Sequence, residues 1–100
     1  MAAIAQASEP HPGGVLRRKL ASLNVRPAAA ARHLGLSRQT LHEVLACSQS
    51  ITPRVALRVA KLTGTNPETW LRMQNAFDLA VARLSEEEFL NKVPVLEDRW

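Results

Sequence analysis

The sequence predicts an all-α protein: five helices in one domain, followed by a short C-terminal extension. Two observations carry this. Hydrophobic residues fill 46% of the chain while aromatics supply only 4%, a composition that suits aliphatic helix-on-helix packing better than aromatic-rich sheets. Proline also stands at Pro27, Pro53 and Pro67, each time just ahead of a helical apolar pattern. A helix accepts proline at its first position, where the missing N–H would have no intrahelical partner anyway. A length of 100 residues allows one core and one domain.

The elements follow in order. Residues 1–13 mix Ala, Ser, Pro, Gly and His and are expected to form a loose arm ending in a His11-Pro12-Gly13-Gly14 turn. Val15, Leu16, Leu20 and Leu23 then recur at helical spacing, predicting a first helix that ends near Asn24. Pro27 opens a second helix, rich in alanine, that runs to Leu34 and is closed by Gly35. Ser37 is placed to cap a third, from Arg38 to Ala46. Thr52-Pro53 starts the fourth, whose stripe of Val55, Leu57, Val59, Ala60 and Leu62 leads to Gly64. Asn66-Pro67 starts the fifth, with Trp70, Leu71, Met73, Phe77, Ala80, Val81 and Leu84.

Ser85-Glu86-Glu87-Glu88 has the form of a capping box and predicts a short sixth helix through Asn91, stopped ahead of Pro94. The last residues, Val93 to Trp100, read as an extended tail or an edge strand. Phe89, Leu90, Val93, Val95, Leu96 and Trp100 are apolar enough that they are expected to pack on the chain's own domain or on a partner subunit. The expected organisation is an arm at 1–13, a helical domain at 14–84 and an acidic, apolar extension at 85–100 for dimer or partner contact.

Charge is unevenly spread. Residues 1–84 hold eleven Lys and Arg against Glu9, Glu43, Glu68 and Asp78, a net +7, whereas residues 85–100 hold Lys92 and Arg99 against five carboxylates, a net −3. A basic body with a separate acidic end points to a polyanion partner. Cys47 is the sole cysteine, so an intrachain disulfide is excluded and a reducing cytoplasm is the expected compartment. His11, His33 and His42 lack metal-ligand spacing, and no nucleophile sits on a Gly-rich elbow. The expectation is no enzyme, no metal and no cofactor. No run approaches the roughly 20 apolar residues of a membrane span, and the N-terminus lacks signal-peptide character.

Two short helices joined by a glycine-containing turn, the second poor in outward hydrophobics, are the sequence form of a helix-turn-helix. Ala31 is small enough for the helices to cross closely, and Gly35 lies four residues on. Leu41, Val44 and Leu45 form an inward stripe. Projected at about 100° per residue, Gln39, His42, Glu43 and Ala46 face away from it, with Arg38 and Thr40 at the exposed amino end. In a major groove, arginine pairs bidentately with guanine and glutamine with adenine, and Glu43 is suited to accept from cytosine or to orient Arg38. Arg54 and Arg58, one turn apart, are candidates for phosphate. Arg17, Arg18 and Lys19 read as a solvated face in preference to a phosphate contact, and Trp70, Met73 and Phe77 as core.

HPGGVLRRKL at 11–20, LGLSRQTLHEVL at 34–45 and the segment from Ile51 to Leu84 together resemble the HigA/VapI family of antitoxins, which have a phage-repressor-like helix-turn-helix. The Ile-Thr-x-x-x-Ala-Leu-Arg and Trp-Leu-x-x-Gln-x-x-Phe-Asp-Leu patterns occur in order within it. The resemblance implies a homodimer that binds a palindromic operator in its own promoter and neutralises a HigB-like ribonuclease toxin. By position it implies base or backbone contacts for Arg38, Gln39, Thr40 and Glu43, and a cap at Ser37. The chain departs from the pattern at Pro27, where such domains commonly carry a phosphate-touching glutamine, and at Cys47-Ser48-Gln49-Ser50, where a basic tip is usual. These departures are expected to lower DNA affinity or to shift phosphate contact onto Arg26, Arg32 and Arg54. They also support one alternative, a toxin-binding module with weak or no DNA binding; a stand-alone phage-type regulator is another.

Overall fold

The computed structural model describes residues 10–96. Five helices follow one another: α1 Pro12–Ser22, α2 Pro27–Leu34, α3 Arg38–Leu45, α4 Pro53–Thr63 and α5 Pro67–Leu90. No strand occurs among the described residues, so Val93 to Leu96 form no edge strand, and Glu97 to Trp100 lie outside the described part. The expected arm over residues 1–9 also lies outside it.

Local chemistry sets the boundaries. Ser37, Thr52 and Asn66 cap α3, α4 and α5 by accepting the backbone N–H of Thr40, Val55 and Glu68, satisfying amides that a helix start leaves without partners. Gly35 and Gly64 end α2 and α4 with φ of 66° and 67°, a left-handed conformation that carries no Cβ penalty in glycine. Asn24 ends α1 in the same region, with φ 59°, as the expected boundary near that residue requires.

The amino end of α1 differs from expectation. His11-Pro12-Gly13-Gly14 is the start of the helix and not a turn before it: His11 is the N-cap, its Nδ1 accepting the Gly13 N–H at 2.9 Å, and Pro12 takes the first helical position. Both residues are buried. Ser, Thr, Asp and Asn dominate the N-cap position, so the sequence pattern does not mark a histidine there.

The core is Leu16 and Leu20 from α1, Ala30, Ala31 and Leu34 from α2, Leu41, Val44 and Leu45 from α3, Ile51, Val55, Ala56, Val59 and Ala60 around α4, and Trp70 from α5. The Trp70 indole N–H donates to the Thr65 hydroxyl at 2.7 Å, so its polar atom is satisfied while its rings pack. Met73 packs against this core and Phe77 is buried, as expected for both. Leu57 was assigned to the inward stripe of α4 but is 63% exposed. Val55, Ala56, Val59 and Ala60 fill that stripe without it.

The predicted break at Ser85 does not form. Helix α5 continues through it to Leu90, and the Ser85 hydroxyl donates back to the Ala82 carbonyl at 3.1 Å instead of capping a new helix. Neither glycine nor proline separates Leu84 from the three glutamates, all good helix formers, so nothing ends the helix there. Of the two packings expected for the extension, on its own domain or on a partner subunit, the first is not seen among its described residues: Phe89, Leu90, Val93, Val95 and Leu96 are all at least half exposed, and Trp100 lies outside the described part.

Candidate nucleic-acid interface

Helix α3 is held by both its ends and its inner face. Leu41, Val44 and Leu45 are buried against the core, as their spacing predicts. At the amino end, the Ser37 hydroxyl accepts the Thr40 N–H at 3.0 Å and donates to the Thr40 hydroxyl at 2.8 Å. Ser37 and Thr40 are thereby fixed relative to the first turn.

The carboxyl end is clamped by three devices. The chain turns back at Cys47, whose φ is 64°, with the N–H of Cys47 bonded to the Val44 carbonyl and that of Ser48 to the Glu43 carbonyl. This is a Schellman closure with a cysteine where glycine is usual. The Arg17 guanidinium of α1 donates to the Leu45 carbonyl at 3.1 Å, placing a cation at the negative end of the α3 dipole. Gly13 lets the start of α1 lie directly on α3: a methyl group there would collide with the Val44 carbonyl oxygen. Spacing places Arg17 on a solvated face, because a side chain reaching another helix's backbone leaves no trace in it.

The outer face carries the candidate residues. Arg38, Gln39 and His42 are exposed, whereas Thr40 and Glu43 are half-buried. Arg38 and His42 border a cleft of about 490 Å³ that also takes in Arg17 of α1, Pro27 and Ala28 of α2, and Leu45 and Ala46. Arg26, the N-cap of α2, is exposed beside this cleft's Pro27 and makes no side-chain cap bond. These residues form one group between the amino end of α2 and the length of α3.

The remaining arginines lie elsewhere. Arg54 is exposed in the first turn of α4. Arg32 and Arg58 meet in a second groove, of about 610 Å³, between the end of α2 and the outer face of α4. Arg58 has a structural duty: its Nη1 donates to the Leu34 carbonyl at 3.1 Å and the Gly35 carbonyl at 3.3 Å, capping the α2 carboxyl end at the helix-turn-helix bend.

Two buried polar residues outside the interface position it. The Gln74 side-chain oxygen accepts the Ile51 N–H at 2.8 Å, and its amide donates to Asp78 at 2.9 Å. This ties the segment after α3 to α5. His11 stacks edge-on against Phe77, with ring centroids 4.8 Å apart. Burial holds its imidazole below the usual value of 6.5, opposed by the nearby Asp78 carboxylate. The Gln-x-x-Phe-Asp run at 74–78 is thus an architectural motif: Gln74 fixes the loop, Phe77 seats the α1 cap and Asp78 holds Gln74. Among the described residues, every buried side-chain polar atom has a hydrogen-bond partner.

A five-helix core whose second and third helices meet at a glycine bend, with a polar face on the third, defines a helix-turn-helix protein. No protein-family model matches the chain. An HTH-type transcriptional regulator of Escherichia coli strain K12, YddM, is 33% identical over 76 residues, spanning 76% of this chain and 81% of that protein. An addiction module antidote protein of the HigA family from Coxiella burnetii is 33% identical with a TM-score of 0.80, covering 87% of this chain and 96% of that one. The antitoxin HigA of Pseudomonas aeruginosa, solved with the higBA promoter, is 28% identical with a TM-score of 0.80, covering 87% and 98%. The chain belongs to the HigA family of helix-turn-helix antitoxins. These relatives are antitoxins and transcriptional regulators, classes that are not enzymes. No helix among the described residues is long and apolar enough to cross a membrane.

Proposed function

We propose that the protein is a sequence-specific autorepressor that binds a palindromic operator as a homodimer and also neutralises a HigB-like ribonuclease toxin. One observation carries the DNA-binding part: α3 is buried along Leu41, Val44 and Leu45 and clamped at its carboxyl end, while Arg38 and Gln39 stay exposed in its first turn and His42 one turn further on. A rigid helix offering polar groups near its amino end is the form of a major-groove reader. Arg38 and Gln39 read base edges, and Thr40, His42 and Glu43 border them. Ser37 holds the first turn, and Arg26 and Arg54, exposed at the starts of α2 and α4, are the candidates for phosphate; Arg32 and Arg58 lie instead in the groove between α2 and α4, with Arg58 bonded to the α2 carbonyls. Two copies place their α3 helices in successive major grooves, about 34 Å apart along the duplex.

The similarity to the Pseudomonas HigA solved with its promoter supports this reading. The toxin half rests on family membership. A single experiment addresses both: mobility shift on the DNA upstream of the reading frame, with and without the protein encoded next to it. The expected result is a shift competed by the palindrome but not by a shuffled duplex, together with a stable complex with the neighbouring protein. Arg54→Ala should weaken binding to every sequence and lower the salt slope by about 1. A stable protein complex without retardation of any duplex at low salt would leave toxin capture as the sole function.

A further inference from the structure

The second groove has an unusual pairing of properties. Its rim is basic, with Arg32 and Lys61, and its floor is apolar, with Leu34, Leu62 and the exposed Leu57. No carboxylate lines it. Arg58 is drawn down onto the α2 carbonyls. A phosphate backbone would satisfy the rim but leave the leucines in water. The groove instead fits a ligand that is acidic and apolar at once.

The same chain carries such a ligand. Beyond Phe77, α5 runs on without a buried residue, and from Ala82 to Leu90 every residue is exposed, a free helical arm of about 14 Å at 1.5 Å per residue. Its end presents Glu86, Glu87 and Glu88 beside Leu84, Phe89 and Leu90, whose large apolar side chains are 47–62% exposed. This arm does not lie in its own groove.

We infer that the acidic, apolar end of α5 from one copy docks in the basic, apolar groove between α2 and α4 of a second copy, and the reverse. The glutamates face Arg32 and Lys61, and Phe89 and Leu90 cover Leu57 and Leu62. The exchange is self-complementary, so it closes at two copies. The inference rests on the homodimer reading above and names the surfaces that make the dimer.

Charge reversal with mixing tests it on the full chain, by size-exclusion chromatography with light scattering at low salt and circular dichroism to follow the fold. Wild type should be a dimer, loosened by added salt. The arm variant E86K/E87K/E88K and the groove variant R32E/K61E should each dissociate at least about tenfold more readily. Mixed together they should regain a heterodimer, because the lysine arm meets the glutamate groove and the native arm meets the native groove. A chain that fails to fold cannot give that rescue. A monomeric wild type would overturn both the dimer reading and this inference. A wild-type dimer indifferent to either reversal would overturn this inference alone, as would two dissociated variants that do not rejoin. An R32E/K61E dimer that loses operator binding would assign the groove to DNA instead.

Discussion

The two ends of α3 are built for opposite purposes. At the carboxyl end, the Gly13 contact, the Arg17 bond to the Leu45 carbonyl and the Schellman closure at Cys47 and Ser48 converge on a few backbone atoms. At the amino end, the cap at Ser37 is local, and Arg38 and Gln39 project free. The difference teaches how a short helix becomes a reader. Eight residues are too few for a stable isolated helix, so tertiary contacts fix its angle and leave its other end available for chemistry.

Gly13→Ala should disturb the clamped end most. The added methyl meets backbone and not a movable side chain, so a loss of about 3 kcal/mol in urea unfolding is expected, along with weaker DNA binding. Next comes Gln74→Leu, which leaves the buried Ile51 N–H without its acceptor. About 1–3 kcal/mol of stability should go; a variant as stable as wild type would mean the loop does not depend on α5. Cys47→Gly should work in the other direction, gaining up to about 1 kcal/mol by relieving a left-handed cysteine, seen as a raised thermal midpoint with DNA affinity intact.

The gentlest lever is pH. Burial keeps the His11 pKa below 6.5 and so favours its neutral form in the folded chain. Its contribution is therefore fully present above about 6.5 and is lost as pH falls from there through the folded-state value, because the unfolded chain takes up the proton first. Stability measured from pH 7.5 down to 5 should decline more steeply in wild type than in His11→Asn. Parallel curves would remove His11 from the account.

The helix-turn-helix was legible because its signals are local. Pro27, Gly35, Ser37 and the Leu41-Val44-Leu45 stripe each act within a turn or two. What escaped depends on distant partners. Arg17 on Leu45 spans 28 residues, Arg58 on Leu34 spans 24 and Gln74 on Ile51 spans 23, and no periodicity reports such bonds. The sixth helix expected at Ser85 does not form for a related reason: a capping box describes what a serine does at a helix start, and Ser85 has continuous helix on both sides.

The most direct test of the central claim is the affinity of Gln39→Ala for the operator and for a shuffled duplex, measured side by side with its unfolding curve. Gln39 is exposed on the free part of α3, so stability should stay within about 0.5 kcal/mol of wild type. Operator binding should fall by about 1–3 kcal/mol while shuffled-duplex binding stays put. Unchanged operator affinity and selectivity would contradict the assignment of α3 as the reading helix.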